Sequence, residues 1–175
     1  GVMGGKNWAP MSYHPNRSML YIPVIESCNE ITTTISPDDE KPIPREWFTS
    51  GGMKQTERIT GSLTAVDVKT GKVAYKVESE WPLLGGVLAT AGDLVFAGLP
   101  NGDLVAFDAE NLKELWRFPT GSGINAPVMS YAVGDTQYVA IAVGFGGTLP
   151  KWWIDATPGL ENTNPSSMIF AFAIH

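Results

Sequence analysis

Two gapless repeats, many glycines and prolines between short apolar runs, and the lack of any sustained helical period predict an all-β protein built of antiparallel four-stranded propeller blades. The first repeat reads GSLTAVDVKTGKVAY from Gly61 to Tyr75, and the second GDLVAFDAENLKELW from Gly102 to Trp116. Their offset of 41 residues, Gly61 to Gly102, lies in the range of one propeller blade. Leu63 matches Leu104, Ala65 matches Ala106, Asp67 matches Asp108, Lys72 matches Lys113 and Tyr75 matches Trp116. A fainter third copy, SMIFAFAIH from Ser167 to His175, keeps the Ile-x-Ala-Phe kernel.

Each part of the repeat has a physical role. Leu63, Ala65 and Val66 belong to a strand whose small alanine permits close approach of a neighbouring sheet. Asp67 at the strand end is placed to accept from backbone amides of the turn. Thr70-Gly71 supplies that turn, with glycine free to take a positive φ. The aromatic that follows, Tyr75 or Trp116, starts the next strand and is expected to lie buried between blades. Further strands are expected at 19–24, 86–91, 93–98, 127–132 and 137–143, each short, β-rich and bounded by Gly, Pro or Asn.

The composition excludes several classes. Hydrophobic residues make up 43% and charged residues 17%, which describes a packed chain and not a disordered one. A net charge of −6 leaves no basic patch for nucleic acid or an anionic membrane. No apolar run approaches the length of a membrane span. One cysteine, Cys28, and two histidines, His14 and His175, fall short of most zinc sites. No Gly-x-Ser-x-Gly elbow or Cys/His couple offers a nucleophile. A lone cysteine reads first as a small buried hydrophobe.

The pattern accounts for two complete blades and parts of others, and propellers need four or more to close a ring. Residues 1–175 are therefore expected to be the C-terminal blades of a single propeller domain that a preceding polypeptide completes. The opening at Gly1 inside a glycine-rich phrase, with no signal peptide, is expected of a processed or fragmentary polypeptide. Residues 29–58, rich in polar, Pro and Gly residues, are expected to form a long excursion with little strand structure.

The phrase Ala-x-Asp-x-x-Thr-Gly-Lys followed by an aromatic resembles the tryptophan-docking motif of quinoprotein alcohol dehydrogenases. Three longer phrases strengthen the resemblance: GGKNWAPMSYHP with LYIPVIESC, PLLGGVLATAGDLVFAGLPNGDLVAFD, and GSGINAPVMSY with QYVAIAVGFGGTLPKWW. They cover nearly the whole chain in the family's order. The docking motif alone also occurs in non-enzymatic propellers, whereas GGKNW and GGTLPKW resemble phrases that sit at the cofactor.

The resemblance implies an eight-bladed propeller that holds pyrroloquinoline quinone in an axial funnel with a calcium or lanthanide ion. It implies a periplasmic enzyme that oxidises alcohols to carbonyl compounds and passes electrons to cytochrome c. The metal ligands and the aspartate base are implied upstream, so no catalytic or metal-binding residue is assigned to this chain. Asn7 matches an asparagine that reaches the quinone edge, its alternative being a turn asparagine after two glycines. Trp8 reads first as a core aromatic and second as a cofactor contact. Trp152 matches a tryptophan near the reactive carbonyls, with a rim aromatic beside Trp153 as the alternative. Leu84 stands where relatives acting on small alcohols usually carry a tryptophan, and this departure widens the expected range to larger alcohols, sugars or polyols. Asp155 and Glu161 read first as solvated surface groups and second as substrate-loop carboxylates, and Lys6 and Lys151 read as solvated.

For Cys28 the resemblance implies a disulfide with a cysteine upstream of Gly1, suited to an oxidising periplasm. Two competing readings predict different residues. A non-catalytic propeller scaffold of the outer-membrane protein assembly type would keep the docking motifs without the cofactor phrases. A propeller glycosidase would place two carboxylates about the scissile bond, and no pair of acids stands in such motifs.

Overall fold

The computed structural model describes residues 5–33, 51–55, 57–144, 157, 159–160 and 163–174. Its strands are β1 (Ser12–His14), β2 (Met19–Glu26), β3 (Asn29–Thr33), β4 (Gly51–Gln55), β5 (Thr60–Asp67), β6 (Lys72–Ser79), β7 (Val87–Ala89), β8 (Leu94–Gly98), β9 (Asp103–Asp108), β10 (Glu114–Pro119), β11 (Met129–Val133), β12 (Thr136–Val143) and β13 (Met168–Ile174). There is no α-helix among the described residues. Two four-stranded sheets, β1-β2-β5-β6 and β7-β8-β9-β10, are followed by the three-stranded β11-β12-β13, and every pairing is antiparallel. The two repeats occupy the same place in successive sheets, as β5–β6 and β9–β10, and the faint copy forms β13.

The sheets stack through alternate residues, as the two-residue period of a strand requires. On β9, Val105 and Phe107 join Tyr21, Leu63 and Ala65 of the first sheet. Leu104 and Ala106, on the opposite face of the same strand, join Val139, Ile141 and Val143 of the third. The middle sheet is thus apolar on both faces. Ala65, Ala97 and Ala106 are all buried, in keeping with the close approach expected of the repeat's alanine. A fully buried Leu or Val in these layers contributes about 1.5–3 kcal/mol.

Turn chemistry recurs with the repeat. The Asp67 carboxylate accepts from Lys69 N at 2.8 Å and Thr70 N at 3.3 Å, and Asp108 accepts from Glu110 N at 2.6 Å. Gly71 takes φ +69° as expected, and Leu112, at the equivalent position of the second repeat, takes φ +60°. A non-glycine residue pays for that conformation, and here burial offsets it: Leu112 is 1% exposed in the first inter-sheet core. A β-bulge follows at the same place in both repeats. Ala65 pairs with Tyr75 and Val66 with Val73, while Phe107 pairs with Glu114 and Ala106 with Trp116. The extra residue, Ala74 or Leu115, re-aims the aromatic beside it.

Two expectations need correction. Trp116 is 39% exposed and Tyr75 is 41% exposed, so neither is buried between blades. Trp116 does face the next sheet, edge-on to Phe172 at 5.4 Å and stacked on Phe118 at 5.9 Å. It sits on an outermost strand, where one side of the ring reaches the surface. The excursion after β2 also holds more strand than expected. β3 and β4 pair from Asn29–Gln55 to Thr33–Gly51, aided by Thr32 Oγ1, which accepts from Gly52 N at 3.1 Å.

The first two sheets converge at β1 and β7. Val87 N donates to Pro10 O at 3.0 Å, and Ala89 N donates to Ser12 Oγ at 2.9 Å. At the other end of these strands, Asp93 receives Arg17 Nε at 2.6 Å and lies 3.1 Å from Nε2 of the buried His14. Neither ring nitrogen of His14 makes a well-aligned hydrogen bond, so Arg17 carries the contact. Asp93 holds φ +61°, a conformation that aspartate tolerates better than most residues. Tyr21 Oη donates to Ala109 O across the same interface.

Two predictions follow from this packing. Leu112→Gly relieves the positive φ but empties a core position, and the lost burial is the larger effect. The variant is expected to lose about 2 kcal/mol in denaturant unfolding, and a gain in stability would show that strain dominates. The second concerns pH. The hydrogen bond from Arg17 holds the Asp93 carboxyl below its ordinary value, so its stabilisation is present above the unfolded pKa and lost as pH falls through the folded one. Melting temperature should therefore drop below about pH 4, and Asp93→Asn should flatten that drop while lowering the melting temperature at pH 7.

Candidate functional site

Because the sheets converge at their first strands, the segments leading into β1 and β7 meet there, and glycine makes the meeting possible. Gly86 has φ +82°, and a Cβ on it would lie 2.7 Å from Pro10 Cδ and 2.9 Å from Pro10 O. A Cβ on Gly85 would lie 2.7 Å from Ala126 O, in the segment that leads to β11. Pro10 against Gly86, and Asn125–Ala126 against Gly85, therefore bring the lead-in segments of three successive sheets to near-contact distance. Upstream, Gly5 exchanges backbone hydrogen bonds with Ile25 at 2.6 and 3.0 Å, which fixes where the GGKNW phrase enters.

Asn7 and Trp8 precede Pro10 in the chain, and Leu84 precedes Gly85. Asn7 is exposed, and among the described residues no group pairs with its side-chain amide. Its own carbonyl accepts from Lys6 Nζ at 2.5 Å. Trp8 is 73% exposed, which overturns its first reading as a core aromatic. Among the described residues no ring or cation is stacked on its indole. Leu84 is buried, 8% exposed, immediately before the Gly85-Gly86 pair. Trp152 lies outside the described residues, as do Trp153, Lys151, Asp155 and Glu161.

Cys28 is exposed and free among the described residues, so it is not the buried hydrophobe of the first reading. It follows β2 three residues after Ile25, whose pairing with Gly5 brings the start of the chain alongside this strand. Sequence reasoning passed over Asn125. Its Oδ1 is buried without a hydrogen-bond partner, next to the Ala126 carbonyl that abuts Gly85. An unpaired buried carbonyl is costly. Its sequence signal was an amide placed directly before Ala-Pro at the mouth of an inner strand. Among the described residues, no group of three or more His, Cys, Asp or Glu is placed to hold a metal.

In chemical terms the junction offers an unengaged amide at Asn7, a flat apolar face at Trp8 and an aliphatic wall at Leu84. Such a combination suits a planar ligand with polar edges, since amides fix orientation while aromatic and aliphatic faces supply area. The fold thus defines an arc of antiparallel propeller blades whose lead-in segments converge.

The chain belongs to the PQQ family: the profile of the glucose/ethanol/alcohol dehydrogenase β-propeller domain matches residues 45–139. It is similar to the quinoprotein ethanol dehydrogenase of Pseudomonas aeruginosa, 38% identical over 154 residues that span 86% of this chain and 24% of that protein. It is also similar to the 1-butanol dehydrogenase (quinone) of Thauera butanivorans, 32% identical over 173 residues, 98% of this chain and 27% of that one. The crystal structure of the quinohemoprotein alcohol dehydrogenase from Comamonas testosteroni matches with a TM-score of 0.76 at 30% identity, covering 99% of this chain and 26% of that one. The chain spans about a quarter of the length of the curated relatives it matches.

The close approaches at this junction are testable by contrast. Gly71 and Gly86 both have positive φ, but a Cβ at Gly71 meets nothing within 4 Å. Gly71→Ala should cost only the conformational term, about 1 kcal/mol, and Gly86→Ala about 3 kcal/mol or more once the clash with Pro10 is added. Equal losses in thermal unfolding would show that the junction has room to spare.

Proposed function

We propose that this chain forms the C-terminal blades of a periplasmic, pyrroloquinoline-quinone-dependent dehydrogenase that oxidises alcohols and passes the electrons to cytochrome c. The observation that carries the reading is the close approach of Pro10, which follows Asn7 and Trp8, to Gly86, which follows Leu84, in a chain of this family. The residues present fit a planar, oxygen-rimmed cofactor, because among the described residues nothing pairs with the exposed Asn7 amide or stacks on the exposed Trp8 indole. When bound, the quinone takes up the two electrons and the hydrogen lost by the alcohol carbon, with a calcium or lanthanide ion polarising it.

This chain's own residues supply orientation and electrostatics. The Asn7 side chain offers an N–H donor to an oxygen on which charge grows during reduction; a preorganised donor is worth most there. Trp8 presents a flat apolar surface and limits water. Leu84 walls the same junction with less bulk than a tryptophan, which favours larger alcohols, sugars or polyols. Trp152 is proposed to wall the substrate side. The metal ligands, the aspartate base and the remaining blades belong to the preceding polypeptide. Exposed apolar residues on the third sheet and its edges, Met129 at 56%, Val133 at 63% and Ile169 at 80%, support a continuation of the ring. The scaffold alternative gives no reason for an unpaired amide and a bare indole at the convergent end.

The test is the absorbance and alcohol-dependent dye reduction of the full-length protein, with and without added quinone and calcium. No quinone-dependent oxidation of any alcohol or polyol would remove the reading. Within an active enzyme, Asn7→Ala should lower kcat about a hundredfold with little change in melting temperature. Leu84→Trp should penalise bulky alcohols before small ones. Cys28 should be bridged to a cysteine upstream of Gly1, as peptide mass mapping without reductant would show. A Cys28 that alkylates in the native full-length protein excludes the bridge.

A further inference from the structure

Trp81 lies on the connector between β6 and β7, three residues before Leu84, and is held on several sides by residues remote in sequence. The Arg58 guanidinium carbon stands 5.5 Å from the ring centroid, and Arg58 Nη2 donates to Glu80 O at 3.3 Å. The far edge of the indole abuts the backbone at Gly159, where a Cβ would lie 2.9 Å from Trp81 Cη2. Gly159 has φ +99°, so this position admits glycine on both conformational and steric grounds. Its neighbours are docked as well, with Thr157 0% and Leu160 3% exposed.

The main chain of the connector is equally confined. A Cβ at Gly61 would lie 2.5 Å from Trp81 O and 2.9 Å from Leu83 N, and Trp81 N donates to Ser79 Oγ at 3.1 Å. The downstream end is fixed by the Gly85–Ala126 approach and by the bond from Val87 N to Pro10 O. Leu84 sits between these two anchored ends. Its place at the junction depends on where the upstream anchor holds the chain, and Trp81 grips that anchor from the outside while Leu83 is buried in the core.

We propose, resting on the dehydrogenase reading above, that Trp81 is a positioning residue for substrate selection: gripped by Arg58 and Gly159, it sets where Leu84 stands and so the width of the alcohol side of the site. Trp81 touches neither Asn7 nor Pro10 through any bond described here, so its influence runs through the connector. A misplacement of about 1 Å in a positioning element is enough to change rates up to about a hundredfold. A surface-packing role alone would instead lower the amount of folded enzyme and scale down every substrate by one factor.

The experiment uses the full-length, quinone-loaded enzyme with Gly159→Ala, Arg58→Ala and Arg58→Lys. The first forces a methyl against the indole, the second removes the cation over the ring, and the third keeps a cation there. Gly159→Ala and Arg58→Ala should shift the ratio of kcat/KM for 1-hexanol over ethanol by about tenfold, and Arg58→Lys should restore most of it. Hydrogen exchange of the amides at 83–87 should quicken in the first two variants and stay near the parent rate in the third. A uniform fall across alcohols, or unchanged exchange at 83–87, overturns the proposal. A parent enzyme that oxidises no alcohol overturns the dehydrogenase reading instead, while the exchange rates still decide whether Trp81 anchors the connector.

Discussion

The two-sided burial of β8 and β9, the central strands of the β7–β10 sheet, is the constraint from which the rest of the structure follows. A sheet that must be apolar on both faces cannot use the alternation of apolar and polar residues that keeps one face wet. It reads LVFAG and DLVAFD, with each successive side chain committed to the opposite neighbour. Val105 and Phe107 on one side and Leu104 and Ala106 on the other leave no face free for water. Stacking of this kind is cumulative: each sheet is stable because another lies against it, the logic of all repeat architectures.

Stacked sheets also converge, and convergence explains the distribution of glycine. Where β1 and β7 approach, backbone lies against backbone, and Gly85 and Gly86 stand where a side chain would collide with Ala126 and Pro10. At the opposite, outer strands there is room, and the aromatics Tyr75, Trp116 and Phe118 fill it. The bulge beside each repeat aromatic turns the ring toward the neighbouring sheet without closing the gap completely. Small residues inside and large ones outside are thus two consequences of one wedge-shaped geometry.

The repeat was legible because period, turn aspartate and β-rich runs are properties of short stretches of sequence. Asp67 and Asp108 cap their turns as their position implies. What was not legible depends on residues far apart or on compensation. Leu112 stands where the first repeat has glycine, and only its burial explains how a positive φ is tolerated. The His14, Arg17 and Asp93 contact joins two sheets through side chains more than 70 positions apart. The β3–β4 hairpin hid because NEITT and GGMKQ alternate weakly and are rich in polar residues and glycine. Trp8 misled for a different reason. Tryptophan after a glycine-rich phrase usually reads as core, and only its 73% exposure shows that this ring does not pack there. Asn125 escaped notice because an unpaired carbonyl is a property of surroundings and not of residue type.

The functional argument turns on which groups the fold leaves unsatisfied. Protein interiors pair their polar atoms and cover their aromatic faces, so exceptions mark places where something else completes the contact. Near the convergent end of these sheets stand an exposed amide at Asn7, a bare indole at Trp8 and a buried, unpaired carbonyl at Asn125. The segments themselves are rigidly placed, since glycine approaches and backbone hydrogen bonds fix both of the first two. A rigid frame with unsatisfied groups is what orientation of a cofactor requires, because groups that need not move when charge develops stabilise it most. Selectivity has a different source in the same frame. On the proposed reading, Leu84 is an aliphatic wall on a connector gripped upstream at Trp81, so the residue that limits substrate size and the residue that positions it are separate. The outer part of the propeller can then tune what the inner part admits.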